Sequence, residues 1–149
     1  YINLIKPINK VFLSFDGVAP VAKLNQQRNR RYKTWYIENY LQNKGEVISK
    51  KWDTTSITPG TKFMTKLHKI IHSYFNTKYK NENLEIIISS SDNHGEGEHK
   101  IYKYIRDNKI YHEKTNTIIY GLDADLIMLT LNHLNIVQIY IYSEKLHIL

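Results

Sequence analysis

The sequence contains no cysteine, only three prolines and six glycines, and no apolar run long enough to cross a bilayer. The absence of cysteine excludes disulfide bonds and thiolate metal sites within the chain. No signal-peptide pattern, internal repeat or interdomain linker is visible either. These absences favour an intracellular domain, in the cytoplasm or the nucleus, with no membrane partner.

Positive charge is in excess, with 21 Lys and Arg residues against 14 Asp and Glu and a formal net charge of +7. Such a balance favours a polyanionic partner, for example a nucleic acid. The length of 149 residues is that of one domain and is sufficient to bury a core.

Three short segments each combine glycine with one or two acidic residues. Each segment follows or nearly follows an apolar, β-branched run. The five acids are Asp16, Glu96, Glu98, Asp123 and Asp125. Acids just beyond the carboxyl ends of several parallel strands can converge in one crevice, where they repel each other unless divalent cations neutralise them. The pattern therefore predicts a metal-dependent phosphodiesterase that uses Mg²⁺ or Mn²⁺.

The spacing within each acidic pair limits its geometry. Glu96 and Glu98 would diverge by about 200° on a regular helix, so they lie in the glycine-containing entry turn or serve different metals. The same alternatives hold for Asp123 and Asp125. We expect one acid of each pair to bind metal directly and the other to act partly through water.

A predicted helix over residues 20–43 follows the first acid and carries hydrogen-bond donors on one face. Lys23, Gln27, Arg30 and Arg31 fall within an arc of about 100°. Ammonium, amide and guanidinium groups close to a metal site suit a terminal phosphate.

The other side of the same helix is apolar and aromatic. It carries Leu24, Tyr32, Trp35 and Tyr36. We expect this side to pack against the rest of the domain while the donors face a ligand.

Each of these features alone also has a structural explanation. Acids in a first helical turn complement the helix dipole, and a basic helix face is usually solvated. Three acidic clusters at three strand ends favour a site instead, and the position of the basic face directly after Asp16 favours ligand binding. His68 and His72 have zinc-like spacing, but without a third ligand we interpret them as ordinary surface histidines.

Strand and helix patterns alternate along the chain, which predicts an α/β fold with a largely parallel sheet and helices on both faces. Strands are predicted over residues 11–15, 84–89, 117–120 and 136–142, and further helices over 98–106 and 124–131. Thr58 is predicted to cap one more helix with Pro59 at its first position. The apolar residues of that helix repeat at helical spacing: Phe63, Leu67, Ile70, Ile71, Tyr74 and Phe75.

Four strings in this chain resemble the conserved nuclease region of the XRN family of 5′→3′ exoribonucleases, and they occur in the family's order over roughly residues 11–131. The strings are Asp16-Gly-Val-Ala-Pro-x-Ala-Lys-x-Asn-Gln-Gln-Arg-x-Arg-Arg31, Ile57-Thr-Pro-Gly-Thr-x-Phe-Met64, Gly95-Glu-Gly-Glu-His-Lys-Ile101 and Tyr120-Gly-Leu-Asp-Ala-Asp-Leu-Ile-Met-Leu129. The resemblance implies that residues 1–149 are part of an N-terminal nuclease domain with a PIN-like, flap-nuclease-like core.

The resemblance also implies a function: hydrolysis of single-stranded RNA that bears a 5′-monophosphate, by two-metal-ion catalysis. By position, the five acids match the family's metal site. Lys23, Gln27, Arg30 and Arg31 match its 5′-phosphate pocket.

Some parts of the family pattern have no match here. The family has a further strand with another aspartate and a base-stacking histidine upstream, and one more aspartate downstream. We therefore interpret the chain as a fragment or truncated relative of an XRN nuclease, with a viral relative as one alternative, and expect low activity from it alone. Two other functions stay open: a catalytically incomplete RNA-binding fragment and a flap-type DNA nuclease, because no residue here reads a 2′-hydroxyl.

Overall fold

The computed structural model describes residues 1–46, 52–79, 83–135 and 138–143. The chain divides into two compact units, Tyr1–Gly97 and Glu98–Leu149. Each unit mixes helices with one pair of short parallel strands, which confirms the predicted α/β class and parallel pairing. Among the described residues these strands form two separate two-stranded sheets, so the predicted sheet is only partly formed.

The first unit is built around the parallel pair β1 and β2, in which Lys10 lies opposite Glu85 and Ser14 opposite Ser89. An ion pair of 2.8 Å between Lys10 Nζ and Glu85 Oε2 joins the two strand starts. The elements in order are α1 (Ile2–Ile5), β1 (Lys10–Ser14), α2 (Val21–Asn43), a 3₁₀ turn (Thr54–Ser56), α3 (Lys62–Lys78) and β2 (Glu85–Ser89). The sequence patterns predicted neither α1 nor the 3₁₀ turn.

Helix α2 begins directly after Pro20, one residue later than predicted, and ends at Asn43 as predicted. The expectation that its aromatic side packs is wrong for the first unit, because no residue of α2 is buried. Tyr32 is 63% exposed, and Trp35 and Tyr36 are each 58% exposed. Helical spacing places these rings on one side, but only a neighbouring element could bury them.

Helix α3 starts three residues later than predicted. Thr61, not Thr58, is its N-cap, and the Thr61 side chain accepts a hydrogen bond of 3.3 Å from the Met64 amide. Gly60 has a φ of +85°, a left-handed conformation that interrupts any helix begun at Pro59. The Thr-Pro pattern therefore marks a turn before the helix.

The buried face of α3 also differs from the predicted apolar stripe. Met64 and His68 are its buried residues, whereas Ile70 and Tyr74 remain more than half exposed. The interpretation of His68 as a surface histidine is wrong, while His72 is exposed as expected. His68 lies one turn after Met64, so it shares the face that packs inward.

The second unit contains the parallel pair β3 and β4, with Thr117 opposite Ile139 and Tyr120 opposite Tyr142. Its elements are α4 (Gly97–Asp107, which begins at the last residue of the first unit), α5 (Lys109–His112), β3 (Thr117–Tyr120), α6 (Asp125–Leu131) and β4 (Ile139–Tyr142). The last strand was predicted over residues 136–142, and its first two residues, 136 and 137, lie outside the described residues. Helix α5 was not predicted.

The core of the second unit consists of Tyr102, Ile105, Ile119 and Leu126. Tyr102 is 1% exposed, and its hydroxyl donates to the Leu126 carbonyl at 3.0 Å and also bonds the hydroxyl of Thr130. Burial raises the pKa of the Tyr102 phenol above its ordinary value, while the hydrogen bond with Thr130 works in the opposite direction. This phenol therefore ties α4 to α6.

No helix in the described part of the chain combines the length and the apolar character that a membrane span requires.

Tyr102→Phe is expected to lower the free energy of unfolding by about 1 kcal/mol, because it removes a buried hydrogen bond while Thr130 keeps its bond to the Leu126 carbonyl. Urea unfolding of both proteins measures the difference. Tyr140→Phe, at a ring 55% exposed, is the matched control and should change it by less than about 0.5 kcal/mol. Equal effects of the two substitutions would contradict this role of Tyr102.

Candidate metal and phosphate site

Two loops meet at the carboxyl end of the first parallel pair. Because β1 and β2 run in the same direction and in register, the segments that follow them leave the same edge of the sheet. The Gly17 amide donates to the Gly95 carbonyl at 2.8 Å, and the Gly95 amide donates to the Val18 carbonyl at 3.0 Å. We call residues 16–18 and 93–97 the interlocked loops.

Asp16, the first predicted metal-site acid, lies in this arrangement. Its Oδ1 accepts a hydrogen bond of 2.6 Å from the Gly97 amide. Gly97 separates Glu96 from Glu98, so the Asp16 carboxylate is fixed beside the glutamate segment.

Gly17 permits the close approach of the two loops. A Cβ atom at this position would lie 1.8 Å from the Asn93 carbonyl oxygen, a distance that no side chain tolerates. Gly17 is also buried. The glycine after Asp16 is therefore needed for space, which the sequence pattern alone did not reveal.

Glu96 and Glu98 lie on the two sides of the first residue of α4, and their side chains are only 15% and 19% exposed. Together with the adjacent His99, each can place one ligand atom within 4.8 Å of the others. The entry turn therefore brings both carboxylates to one place, as the first of the two predicted alternatives requires. The two shielded carboxylates are ligands that suit a hard divalent cation, whereas the more exposed His99 imidazole is a softer donor.

The surroundings of Glu98 in the second unit are partly polar. His99 Nε2 lies 4.0 Å from Glu98 Oε1. Tyr102 follows one turn later on α4, and the Glu98 charge adds to the effect of burial in raising the pKa of that phenol.

Lys23 joins the donor helix to the acidic loop. Its Nζ lies 3.2 Å from Glu96 Oε1. Helix α2 begins only a few residues after Val18, so Lys23, in the first turn, is close to the interlocked loops. The predicted phosphate donor and the predicted metal ligand are thus direct neighbours.

The other three donors lie further along α2. Gln27 is half-buried, whereas Arg30 and Arg31 are exposed. Arg31 Nη2 donates to Thr58 Oγ1 at 2.9 Å. Thr58 is therefore a partner of the donor face and not the cap of α3.

Asp123 and Asp125 follow β3 in the second unit and are exposed. Asp123 Oδ1 accepts a hydrogen bond of 3.2 Å from the Asp125 amide, as an acid at a helix start often does. Both lie in the segment between the end of β3 and the first residue of α6, as expected. Their convergence with Asp16 and Glu96 stays a prediction.

His68 is a residue near the loops whose position the sequence did not predict. Its Nε2 accepts a hydrogen bond of 3.4 Å from the Ser91 amide, and its ring lies edge-on to Phe15 at 4.9 Å. Phe15 directly precedes Asp16, so His68 supports both chain segments that lead into the interlocked loops. The spacing from Met64 on α3 was the available signal.

The family model described as the XRN 5′-3′ exonuclease N-terminus matches residues 1–145. The chain is 42% identical over 141 residues to 5′-3′ exoribonuclease 1 of Saccharomyces cerevisiae, a match that covers 86% of this chain and 9% of the relative. It is 40% identical over 143 residues to 5′-3′ exoribonuclease 1 of Homo sapiens, covering 87% of this chain and 8% of the relative.

A second group of relatives gives the same result. The chain is 38% identical over 152 residues to 5′-3′ exoribonuclease 2 of Schizosaccharomyces pombe, with 86% of this chain and 15% of the relative covered. These matches confirm the family predicted from the four strings. They also show that the chain spans only about a tenth of the length of such relatives and somewhat more of others.

Gly17→Ala is expected to separate the interlocked loops, at a cost of about 1–3 kcal/mol in the free energy of unfolding, because the added methyl group meets the Asn93 carbonyl. Amide hydrogen exchange should become faster at Gly95 and Gly97. Gly45→Ala is the control. The Gly45 φ of +82° disfavours alanine, but no atom lies within 4 Å of the added methyl group, so exchange at Gly95 and Gly97 should not change. Unchanged exchange at Gly95 and Gly97 in Gly17→Ala would show that the loops do not depend on this clearance.

Proposed function

Because this chain belongs to the family of the XRN 5′-3′ exonuclease N-terminus, we propose that it forms part of the nuclease site of a 5′→3′ exoribonuclease. The substrate would be single-stranded RNA with a 5′-monophosphate. The acids in three of the four strings would supply the chemistry, and the activity would belong to the full-length protein.

One observation supports this proposal above the others: the 3.2 Å contact between Lys23 and Glu96. A hydrolase that recognises a terminal phosphate and cleaves the next phosphodiester needs phosphate donors and cation ligands a few ångströms apart. The donor face of α2 and the interlocked loops meet at this contact.

The five acids would hold the cations in this proposal: Asp16, Glu96, Glu98, Asp123 and Asp125. Two bound divalent ions, Mg²⁺ or Mn²⁺, would supply an activated water and neutralise charge at the leaving oxygen. The chain's own contribution is positional. Hydrogen bonds between the loops hold Asp16 and Glu96 in place before any ligand arrives, so little reorganisation is needed.

The donor face would bind the 5′ end of the RNA. Lys23 supplies a point charge, and the exposed guanidinium groups of Arg30 and Arg31 can bind phosphate oxygens with two hydrogen bonds each. Gln27 adds a neutral donor between them. Recognition of the terminal phosphate would place the first phosphodiester at the acids.

We extend the proposal to the fold and the location. Residues 1–149 would be part of one PIN-like nuclease domain in which both strand pairs join a largely parallel sheet covered by helices on both faces. Such an arrangement would bring the ends of β1, β2 and β3 to one edge, where the five acids could converge. The protein would act inside the cell.

The direct test is degradation of matched substrates by the full-length protein with Mg²⁺. Single-stranded RNA with a 5′-monophosphate should be degraded from its 5′ end, whereas RNA with a 5′-hydroxyl should persist. Equal degradation of matched DNA would favour a flap-type nuclease instead. Binding of RNA without any cleavage would favour a non-catalytic role.

Glu98→Gln and Asp123→Asn in the full-length protein should each abolish cleavage while RNA affinity changes little, because each removes ligand charge at nearly constant volume. Single-turnover cleavage and filter binding measure the two quantities. Glu113→Gln, at an exposed acid that pairs with Lys109 at 3.5 Å, is the control and should leave both unchanged. Unchanged turnover in both site variants would remove the metal assignment.

Arg30→Ala should weaken the preference for 5′-monophosphate over 5′-hydroxyl RNA about tenfold, since a charge-assisted hydrogen bond contributes about 1.5–3 kcal/mol. Arg31→Ala should act similarly and should also lose the bond to Thr58. Competition between the two RNAs measures the preference, and Arg28→Ala, on another side of α2, is the control. A uniform loss of affinity for both RNAs would identify the donor face as a general phosphate track.

A further inference from the structure

We propose that the ion pair between Lys23 and Glu96 couples the phosphate pocket to the metal site, so that a 5′-phosphate and a divalent cation each strengthen binding of the other. The inference rests on the proposed function, because it uses the same two subsites. It adds a property that neither subsite has by itself: loading of the cation that depends on the substrate.

The ion pair lies in a position where charge interactions are only partly screened. The Glu96 side chain is 15% exposed and the Lys23 side chain 40% exposed, with 3.2 Å between Nζ and Oε1. Water reaches the ammonium more easily than the carboxylate. The attraction is therefore stronger than that of a fully solvated pair.

Both partners are held by rigid elements. Glu96 lies between Gly95 and Gly97, whose amides are bonded to Val18 and Asp16. Lys23 lies in the first turn of a long helix that starts close to the same loop. The two backbones are therefore fixed relative to each other, so only the side chains have to be ordered when the pair forms.

Each ligand competes with one member of this pair: the cation competes with Lys23 for Glu96, and the phosphate competes with Glu96 for Lys23. A divalent cation at Glu96 must displace or repel the ammonium, so the pair opposes metal binding. A terminal phosphate attracts the ammonium, which releases the carboxylate for the metal. By linkage the effect is reciprocal: a cation at Glu96 releases Lys23 for the phosphate.

The neighbouring donor Arg31 provides a contrast. Its guanidinium bonds the neutral hydroxyl of Thr58, and its removal leaves the contact between Lys23 and Glu96 in place. The coupling is thus a property of Lys23 and not of positive charge on α2 in general. This difference makes the inference testable with single substitutions.

The first measurement uses the metal alone. Mn²⁺ is titrated calorimetrically into the full-length protein without RNA. Lys23→Met removes the competing ammonium and should increase the Mn²⁺ affinity by about two- to fivefold, the range expected for a partly exposed pair. Lys33→Met, which removes the same charge from an exposed position of α2, should increase it less.

The second measurement adds the phosphate. Saturating adenosine 5′-monophosphate, compared with adenosine and corrected for nucleotide–metal complexes, should raise the Mn²⁺ affinity of the unmodified protein about fivefold or more. In Lys23→Met the enhancement should fall to less than half of that value. Circular dichroism of each variant verifies the fold.

Several outcomes overturn the inference: a lower or unchanged Mn²⁺ affinity in Lys23→Met, the same gain in Lys33→Met, the same phosphate enhancement in both proteins, or no Mn²⁺ binding at all. Its failure is distinct from that of the proposed function. Normal 5′→3′ RNA degradation without coupling refutes the inference alone, whereas coupling without RNA cleavage refutes the nuclease proposal alone.

Discussion

The first unit depends on the close approach of two backbone segments at the end of a parallel strand pair. Gly17 lies so close to the Asn93 carbonyl that a side chain would not fit, and hydrogen bonds of Gly95 with Gly17 and Val18 hold the two segments together. Parallel pairing in register makes this contact possible, because both strands deliver their following loops to the same edge. The positions of the acids in those loops are therefore set mainly by the backbone.

The donor helix is placed by the same contact. Because α2 starts directly after Pro20, its first turn cannot lie far from the loop that contains Gly17, and Lys23 meets Glu96 there. The rest of α2 extends with its aromatic side exposed, including Trp35 at 58%. The N-terminal end of the helix is thus where the predicted phosphate donor Lys23 adjoins the predicted cation ligand Glu96, while Arg30 and Arg31 lie further along the helix and are exposed.

Local patterns predicted the elements well where local forces decide them. Strand β3 has the predicted bounds. Helix α2 differs from its prediction by one residue, because Pro20 and the helix-forming residues after it define its start within a single turn. The start of α3 was wrong because Thr58 and Pro59 satisfy a helix-start pattern that the left-handed Gly60 then interrupts. The sequence pattern thus allows more than one start for helix α3, and the backbone conformation of Gly60 decides which one is used.

The sequence by itself determined the family, the order of strands and helices, and the identities of the acids and donors, since these depend on residue type and on spacing along one element. Only the tertiary structure decided that Lys23 contacts Glu96, that Arg31 bonds Thr58 and that His68 is buried against Phe15. Each of these contacts joins segments that are distant along the chain. Periodicity defines which face of a helix a residue occupies, but the partner of that face is set by how the loops and strands pack in space.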